Sequence, residues 1–322
     1  MLVTHGPFAA FGHPGTARSS RGRLAVTVGN FDGVHRGHQA MLARLKARAA
    51  ELAVESCVLT FEPHPREFFA PQAAPARLTR LAAKLAVLRD AGVDRVHVER
   101  FDAKFASQSP GRFVQDVLVG GLGCEWLLVG SDFRYGAKRS GDFAQLESSA
   151  REHGFALEAM PEVRSEGRRI SSSAVRDTLE RGDLEGAAAL LGRAYSIAGR
   201  VVHGDKLGRE LGYATANIRL PHKPPLAGIF VVEALGVPGA GPKGWPAVAS
   251  VGVRPTVKED AVPLLEVHLF DFKADLYGRR LEVKFLHKLR DEAKFADLVT
   301  LKEAIDRDAK EARDFFAAKN HD

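Results

Sequence analysis

Two histidines three residues apart, His35 and His38, stand in the stretch Gly29-Asn-Phe-Asp-Gly-Val-His-Arg-Gly-His38. Imidazole nitrogens can donate to phosphate oxygens and neutralise their charge. An apolar, β-branched run, Leu24–Val28, leads into the stretch, and strong helix formers follow from Gln39. Strand, glycine-rich turn and helix start in that order bring backbone N–H groups and a helix N-terminus to one anion. His-x-x-His also suits two metal ligands. A metal wants more of them, and no Cys or carboxylate cluster lies nearby, so phosphate is the preferred reading.

A second constellation is Arg168-Arg-Ile-Ser-Ser-Ser-Ala-Val-Arg176. A serine here is a natural helix N-cap, which is the plain structural reading. Arginines on both sides of the hydroxyls also make an oligophosphate clamp. The third constellation lies in Gly204–Asn217, where three glycines punctuate a charged loop that could wrap a phosphate. Thr215 and Asn217 alternate, so an extended backbone points both the same way. A hydroxyl and an amide oxygen are hard ligands suited to Mg²⁺, while a polar turn between strands is the plainer alternative. Glu266 interrupts the apolar run Leu-Leu-Glu-Val-His-Leu. It is either a solvated-face acid or, if it faces the barrel mouth, a general base. Arg290-Asp-Glu292 is either a ligand-edge loop or a charged helix lead-in.

The elements that must position these groups change texture along the chain. In the first half, strands at 56–61, 95–99, 126–129 and 155–160 alternate with helices at 40–51, 78–90, 110–118 and 141–153. That rhythm predicts a Rossmann-like, doubly wound and mostly parallel sheet. Strand ends carrying Glu62-Pro-His-Pro65 and Gly130-Ser-Asp-Phe-Arg-Tyr-Gly136 fall where such sheets bind ligands, although Pro-His-Pro also reads as a stiff loop. A helix over 174–181 and an alanine-rich connector over 182–191 follow. From Tyr195, β-type runs at 195–202, 228–235, 245–252, 264–270 and 281–287 are separated by Gly/Pro turns. They predict a small antiparallel barrel, closed by an amphipathic helix over 295–313. The predicted division is a lead-in over 1–23, an α/β domain over 24–185 and a barrel domain over 186–322.

At 322 residues the chain is long enough for two domains. Its 45% hydrophobic and 27% charged content excludes a disordered or fibrous class. Cys57 and Cys124 lie in apolar runs and predict reduced, buried thiols, which suits the cytoplasm. No run of apolar residues reaches membrane-spanning length, and the Gly/Pro/Ser/Arg-rich start lacks a signal-peptide core. The net charge of +6 suits anionic partners. Its scatter, with no aromatic-rich basic tract, favours phosphorylated metabolites over nucleic acid.

Taken in order, nine segments resemble the prokaryotic bifunctional riboflavin kinase/FAD synthetase family. They are the four stretches 29–38, 61–65, 130–136 and 169–176, and then 208–217, 252–256, 265–269, 275–278 and 290–292. The resemblance implies an α/β half that joins FMN and ATP to give FAD and pyrophosphate, and a barrel half that phosphorylates riboflavin to FMN with ATP. It implies that His35 and His38, with Gly29, Phe31, Asp32, Gly33 and Gly37 around them, meet the ATP phosphates. Arg169, Ser172 and Arg176 would hold the departing pyrophosphate. Asp132 and Phe133 would approach flavin or nucleotide, and Glu62 would help place Mg²⁺ indirectly. In the barrel it implies Gly208 on phosphate, Thr215 and Asn217 with Mg²⁺ and ATP, Glu266 as the base for the ribityl hydroxyl, and Arg290 beside the flavin. The implied partners are ATP, riboflavin and FMN, with Mg²⁺ as cofactor and neither nucleic acid nor membrane. One departure is visible: Ala214 stands where the family pattern has proline, which keeps both ligands but frees the backbone.

Overall fold

The computed structural model describes residues 1–6, 23–165, 167–204, 211–252 and 263–319. Its contacts divide the chain into two units, Met1–Pro75 with Arg80–Ser171, and Ala76–Thr79 with Ser172–Asp322.

The first unit is built on a six-stranded parallel sheet in the order β1-β4-β3-β2-β5-β6. The strands are β1 (Leu2–His5), β2 (Leu24–Val28), β3 (Glu55–Glu62), β4 (Arg95–Arg100), β5 (Cys124–Gly130) and β6 (Ala156–Met160). The central strand β2 is buried at every residue, so its run of apolar and β-branched side chains has a face on each layer. Helices α1 (Arg36–Glu51) and α3 (Leu81–Asp90) cover one face through Leu42, Leu45, Ala49 and Leu88. The other face packs Phe113, Val117 and Leu118, from a turn of α5 (Pro110–Arg112) continued as a π-helix over Phe113–Val119, with Leu146 of α6 (Phe143–His153). Short helices α2 (Pro65–Phe69) and α4 (Ala103–Ala106) follow β3 and β4. A small hairpin, β7 (Arg164–Ser165) with β8 (Arg168–Arg169), follows β6. The doubly wound sheet is therefore as expected.

Part of the predicted lead-in is structural. Leu2–His5 forms edge strand β1, in register with β4 from Leu2↔Arg95 to His5↔Val98. The Thr4 hydroxyl bonds His97 Nδ1 at 2.8 Å, and His97 Nε2 meets Glu99 at 3.0 Å. The remaining lead-in, residues 7–22, lies outside the described residues, as do Gly208 with residues 205–210 and most of the 252–256 segment.

The second unit is a closed barrel in the order β10-β13-β12-β11-β14-β9. Its strands are β9 (Ser196–Val202), β10 (Ala216–Arg219), β11 (Gly228–Leu235), β12 (Trp245–Gly252), β13 (Leu264–Leu269) and β14 (Arg280–Arg290). β10 is short and polar at one end, and its pattern reads from sequence as part of the preceding loop. Helices α7 (Ser172–Glu180) and α8 (Leu184–Leu191) belong to this unit, because Val175, Leu179, Leu184, Ala187 and Leu191 join the barrel's core cluster. Sequence texture puts the division near residue 186, whereas the contacts put it between Ser171 and Ser172. The last helix, α9 (Leu298–Lys319), starts at Leu298 because the Asp297 carboxylate accepts from the Thr300 N–H at 2.8 Å and caps it. Ala309 and Ala312 of α9 pack on Val231, Val248 and Phe270, on the barrel's outer surface.

Gly228 opens β11 with φ +125°, and a Cβ there would come 2.5 Å from the Arg290 carbonyl oxygen of β14. Gly228→Ala is expected to destabilise the barrel by more than about 2 kcal/mol. Hydrogen exchange should rise at the β11 and β14 amides and stay unchanged at β2, β3 and β5.

Candidate active sites

The β2–α1 turn of the first unit is held in an unfavourable backbone conformation. Phe31 (φ +48°) and Val34 (φ +41°) are left-handed, as is Gly33 (φ +83°). A β-branched residue rarely adopts that region, and such strain persists only where its surroundings over-determine it. Here they do, because Phe31 and Val34 are fully buried in the core cluster under α1 and α3. Phe31, expected beside the phosphates, supports His38 from below, with its ring 4.8 Å from the imidazole.

The turn delivers His35 to the N-cap of α1, where its Nδ1 accepts from the His38 N–H at 3.3 Å. The two imidazoles stack 3.7 Å apart at 16°. Gly37 leaves room for this stack, since a Cβ there would meet the His35 ring at 3.2 Å. The Gly29 N–H is committed to the Leu59 carbonyl at 3.0 Å, so this glycine serves the sheet edge rather than offering a donor. Asp32 is buried in the same turn. Among the described residues, His38 Nδ1 is buried without a hydrogen-bond partner. Desolvation, His35 and the ammonium of Lys84 together push the His38 pKa well below the ordinary imidazole value.

Lys84 is a residue that the sequence reading missed. It is buried in α3 and donates to Thr60 Oγ1 at 3.3 Å, and Thr60 in turn donates to the Asn30 carbonyl at 3.2 Å. The signal was available: Lys84 occupies an apolar-stripe position, four residues before buried Leu88.

Arg169 and Asp132, from segments 37 residues apart, meet at 2.6 Å, and Arg169 also pairs with Glu162 at 2.9 Å. Arg169 holds the Asp132 carboxyl below the usual carboxylate range. Phe133 stacks on Tyr135 at 5.6 Å and 11°. Glu62 ends β3, and His64, two residues on, caps α2 by accepting from the Arg66 N–H at 3.1 Å. Ser172 opens α7 in the second unit, where Arg176 Nε donates to the Ala76 carbonyl at 2.6 Å.

In the barrel the site is made by register. Asn217 of β10 stands opposite Glu266 of β13, and Glu266 opposite Ser250 of β12. Directly opposed residues share a face, with Cβ atoms about 5 Å apart. Leu265 and Val267 fill the interior, so Glu266 points outward, on the face that carries Phe270 and α9. Asn217 is buried on that face, and among the described residues its Oδ1 has no hydrogen-bond partner. Thr215, half-buried, immediately precedes β10. Glu292 hydrogen-bonds Ser250; burial first, then the Glu266 charge, raises its pKa. Arg290 is the last residue of β14. It pairs bidentately with Asp308 of α9 at 2.8 and 2.6 Å, and donates to the Asp291 carbonyl at 3.0 Å.

Known proteins match both halves. The FAD synthetase family model matches residues 17–174, and the riboflavin kinase family model matches residues 191–316. A bifunctional riboflavin kinase/FMN adenylyltransferase of Pseudomonas fluorescens is 50% identical over 302 residues, 94% of this chain and 95% of its own length. The protein of that name from Escherichia coli K12 is 47% identical over 90% of this chain and 92% of its own. A solved structure described as a macrolide-efflux protein from Streptococcus pneumoniae shares the architecture, with TM-score 0.77 and 26% identity over 97% of this chain and 99% of its own.

The lowered His38 pKa has a consequence for stability. Below about pH 6.5 the unfolded chain takes up a proton that the folded chain refuses, so stability falls as pH drops through that value. In a Trp245→Phe background, where Trp126 reports the first unit alone, the melting temperature should fall between pH 7.5 and pH 5.5. His38→Gln should flatten that fall.

Proposed function

Because this chain belongs to the bifunctional riboflavin kinase/FMN adenylyltransferase family, we propose the division of labour among its residues that follows. The activity itself is that of the family: riboflavin and ATP give FMN and ADP, then FMN and ATP give FAD and pyrophosphate. The observation that carries the residue assignment is the pairing of Glu266 with Asn217 across β13 and β10, with one carboxylate and one orphaned amide oxygen on a single outward face.

In the barrel, Glu266 accepts the proton of the terminal ribityl hydroxyl as that oxygen attacks the γ-phosphorus and ADP departs. Asn217 Oδ1 and the Thr215 hydroxyl suit a Mg²⁺ ion arriving with the triphosphate, and the lone Oδ1 fits a hard cation. Bound there, such an ion would supply charge neutralisation on the phosphates. Gly208 is assigned to the phosphates by family pattern. Arg290 serves the flavin side through the loop it anchors, since its guanidinium is held by Asp308.

In the α/β unit, an FMN phosphate oxygen attacks the α-phosphorus of ATP. The nucleophile is already anionic, so the protein's work is positioning and charge stabilisation. His35 and His38 present stacked imidazoles at the start of the 16-residue helix α1, where the backbone also favours an anion. Asp32, Gly33 and Gly37 shape that turn. By family pattern, Arg169, Ser172 and Arg176 are each assigned to the departing pyrophosphate. Asp132 and Phe133 border the flavin phosphate at the end of β5, and Glu62 stands at the end of β3. Both cysteines are free thiols, which supports a reducing cytoplasm as the location.

The test is a product assay with riboflavin, ATP and Mg²⁺ that resolves FMN from FAD. Glu266→Gln should lower FMN formation by about 10²-fold or more and leave FMN-to-FAD conversion within about twofold. His38→Ala should do the reverse. Equal loss of both activities in either variant would defeat the two-site division.

A further inference from the structure

The connection 211–215 that presents Thr215 is short and irregular, and at 214 it carries alanine. A proline there would fix its own φ by covalent means. The restraint in this chain comes instead from β13 and α9. His268 Nδ1 donates to the Ala214 carbonyl at 2.9 Å; the acceptor is a carbonyl, so Nδ1 carries the hydrogen. Tyr213 meets the His268 ring edge-on at 4.9 Å and 70°, and its hydroxyl donates to Asp306 of α9 at 2.5 Å. Lys302 holds the same Asp306 carboxylate at 2.9 Å. Tyr213 and Ala214 are thus each fastened to a regular element, the first to α9 and the second to β13.

His268 lies two residues beyond Glu266 on β13, so both side chains leave the same face of the strand. Val248 of β12 stands opposite His268, and α9 packs on that valine. Continuing the β10–β13 register by two residues from Asn217↔Glu266 brings Thr215 level with His268. A single strand therefore carries the proposed base and, one pleat further on, the brace of the neighbouring ligand loop. The charged groups that face the imidazole are Arg313 and Asp271, which are bound to each other at 2.8 and 3.0 Å. Burial and Arg313 lower the His268 pKa, against the Ala214 carbonyl and Asp271. Neutral and protonated rings both donate from Nδ1, so titration leaves the bond intact.

We propose that His268 is a positioning residue for the kinase reaction: through the Ala214 carbonyl it fixes the backbone on which Thr215 meets ATP, while Tyr213 and Asp306 secure the same loop to α9. The proposal rests on Thr215 and Asn217 meeting ATP and Mg²⁺. It predicts a binding defect rather than a chemical one, because Glu266 keeps its own place on β13.

The experiment measures KM for ATP at saturating Mg²⁺ and riboflavin, and kcat for FMN formation, in the full chain. His268→Phe keeps an aromatic ring beside Tyr213 and removes the donor. Loss of one hydrogen bond of ordinary strength should raise KM for ATP about 5- to 10-fold, with kcat within about threefold. His268→Gln, which restores a donor, should recover most of the loss. Tyr213→Phe should raise KM in the same direction, and Tyr213→Phe with His268→Phe should cost less than the product of the two. Near-ultraviolet circular dichroism and the fluorescence of Trp245 on β12 check that the barrel is folded in each variant. Thr215→Ala separates the two ideas. If it impairs ATP use while His268→Phe does not, the brace is refuted and the site stands. If Thr215→Ala leaves KM for ATP unchanged, the site reading fails and the proposal fails with it. A fall in kcat at constant KM in His268→Phe would also overturn it.

Discussion

The chemistry of the first unit depends on burial enforcing an awkward bend. Between Phe31 and Val34 the backbone takes left-handed angles that cost about 1–3 kcal/mol per residue. The side chains of both residues are wholly enclosed in the layer between the sheet and α1. That enclosure sets the angle at which the chain enters α1, and the entry angle sets His35 as cap and His38 as its stacked neighbour. Apolar packing and the placing of the histidine pair are therefore not separate parts of this unit. Phe31 is core on one side and the floor of the histidine pair on the other.

The second unit reaches its site by another route. Antiparallel register aligns Asn217, Glu266 and Ser250 across three adjacent strands. What register cannot do is secure the loops that flank those strands. Polar side chains of α9 take that role, Asp308 toward Arg290 and Asp306 toward Tyr213. The Arg290–Asp308 pair is bidentate and mostly withdrawn from water, a geometry in which the partners depend strongly on each other. The last helix thus does more than cover an apolar surface.

Most of the architecture could be read from the residues. Alternation of buried strands with helices specified the parallel sheet, and the later run of strands between Gly/Pro turns specified the barrel. Where sequence and structure part, the causes are physical. β1 is only four residues long and carries no strong pattern; its place comes from pairing with β4 and from the Thr4–His97–Glu99 contacts. β10 is only four residues long, and the polar residues Asn217 and Arg219 in it read as loop. Helix α9 starts later than expected because Asp297 provides a cap that hydrophobic periodicity does not register. The site motifs were legible as types of residue, but their partners were not. Arg169 with Asp132, Arg290 with Asp308 and Lys84 beside His38 are contacts between distant segments, and local pattern carries no information about them.

The position of the contact boundary has a consequence for how two activities come to share a chain. It falls between Ser171 and Ser172, inside the Arg-x-x-Ser-x-x-x-Arg segment, and α7 and α8 contribute Val175, Leu179 and Leu184 to the barrel's interior. A gene split at the apparent linker near residue 186 would give a barrel product stripped of α7 and part of its own hydrophobic lining. The apolar residues that lose their partners in such a cut would form an exposed patch prone to association.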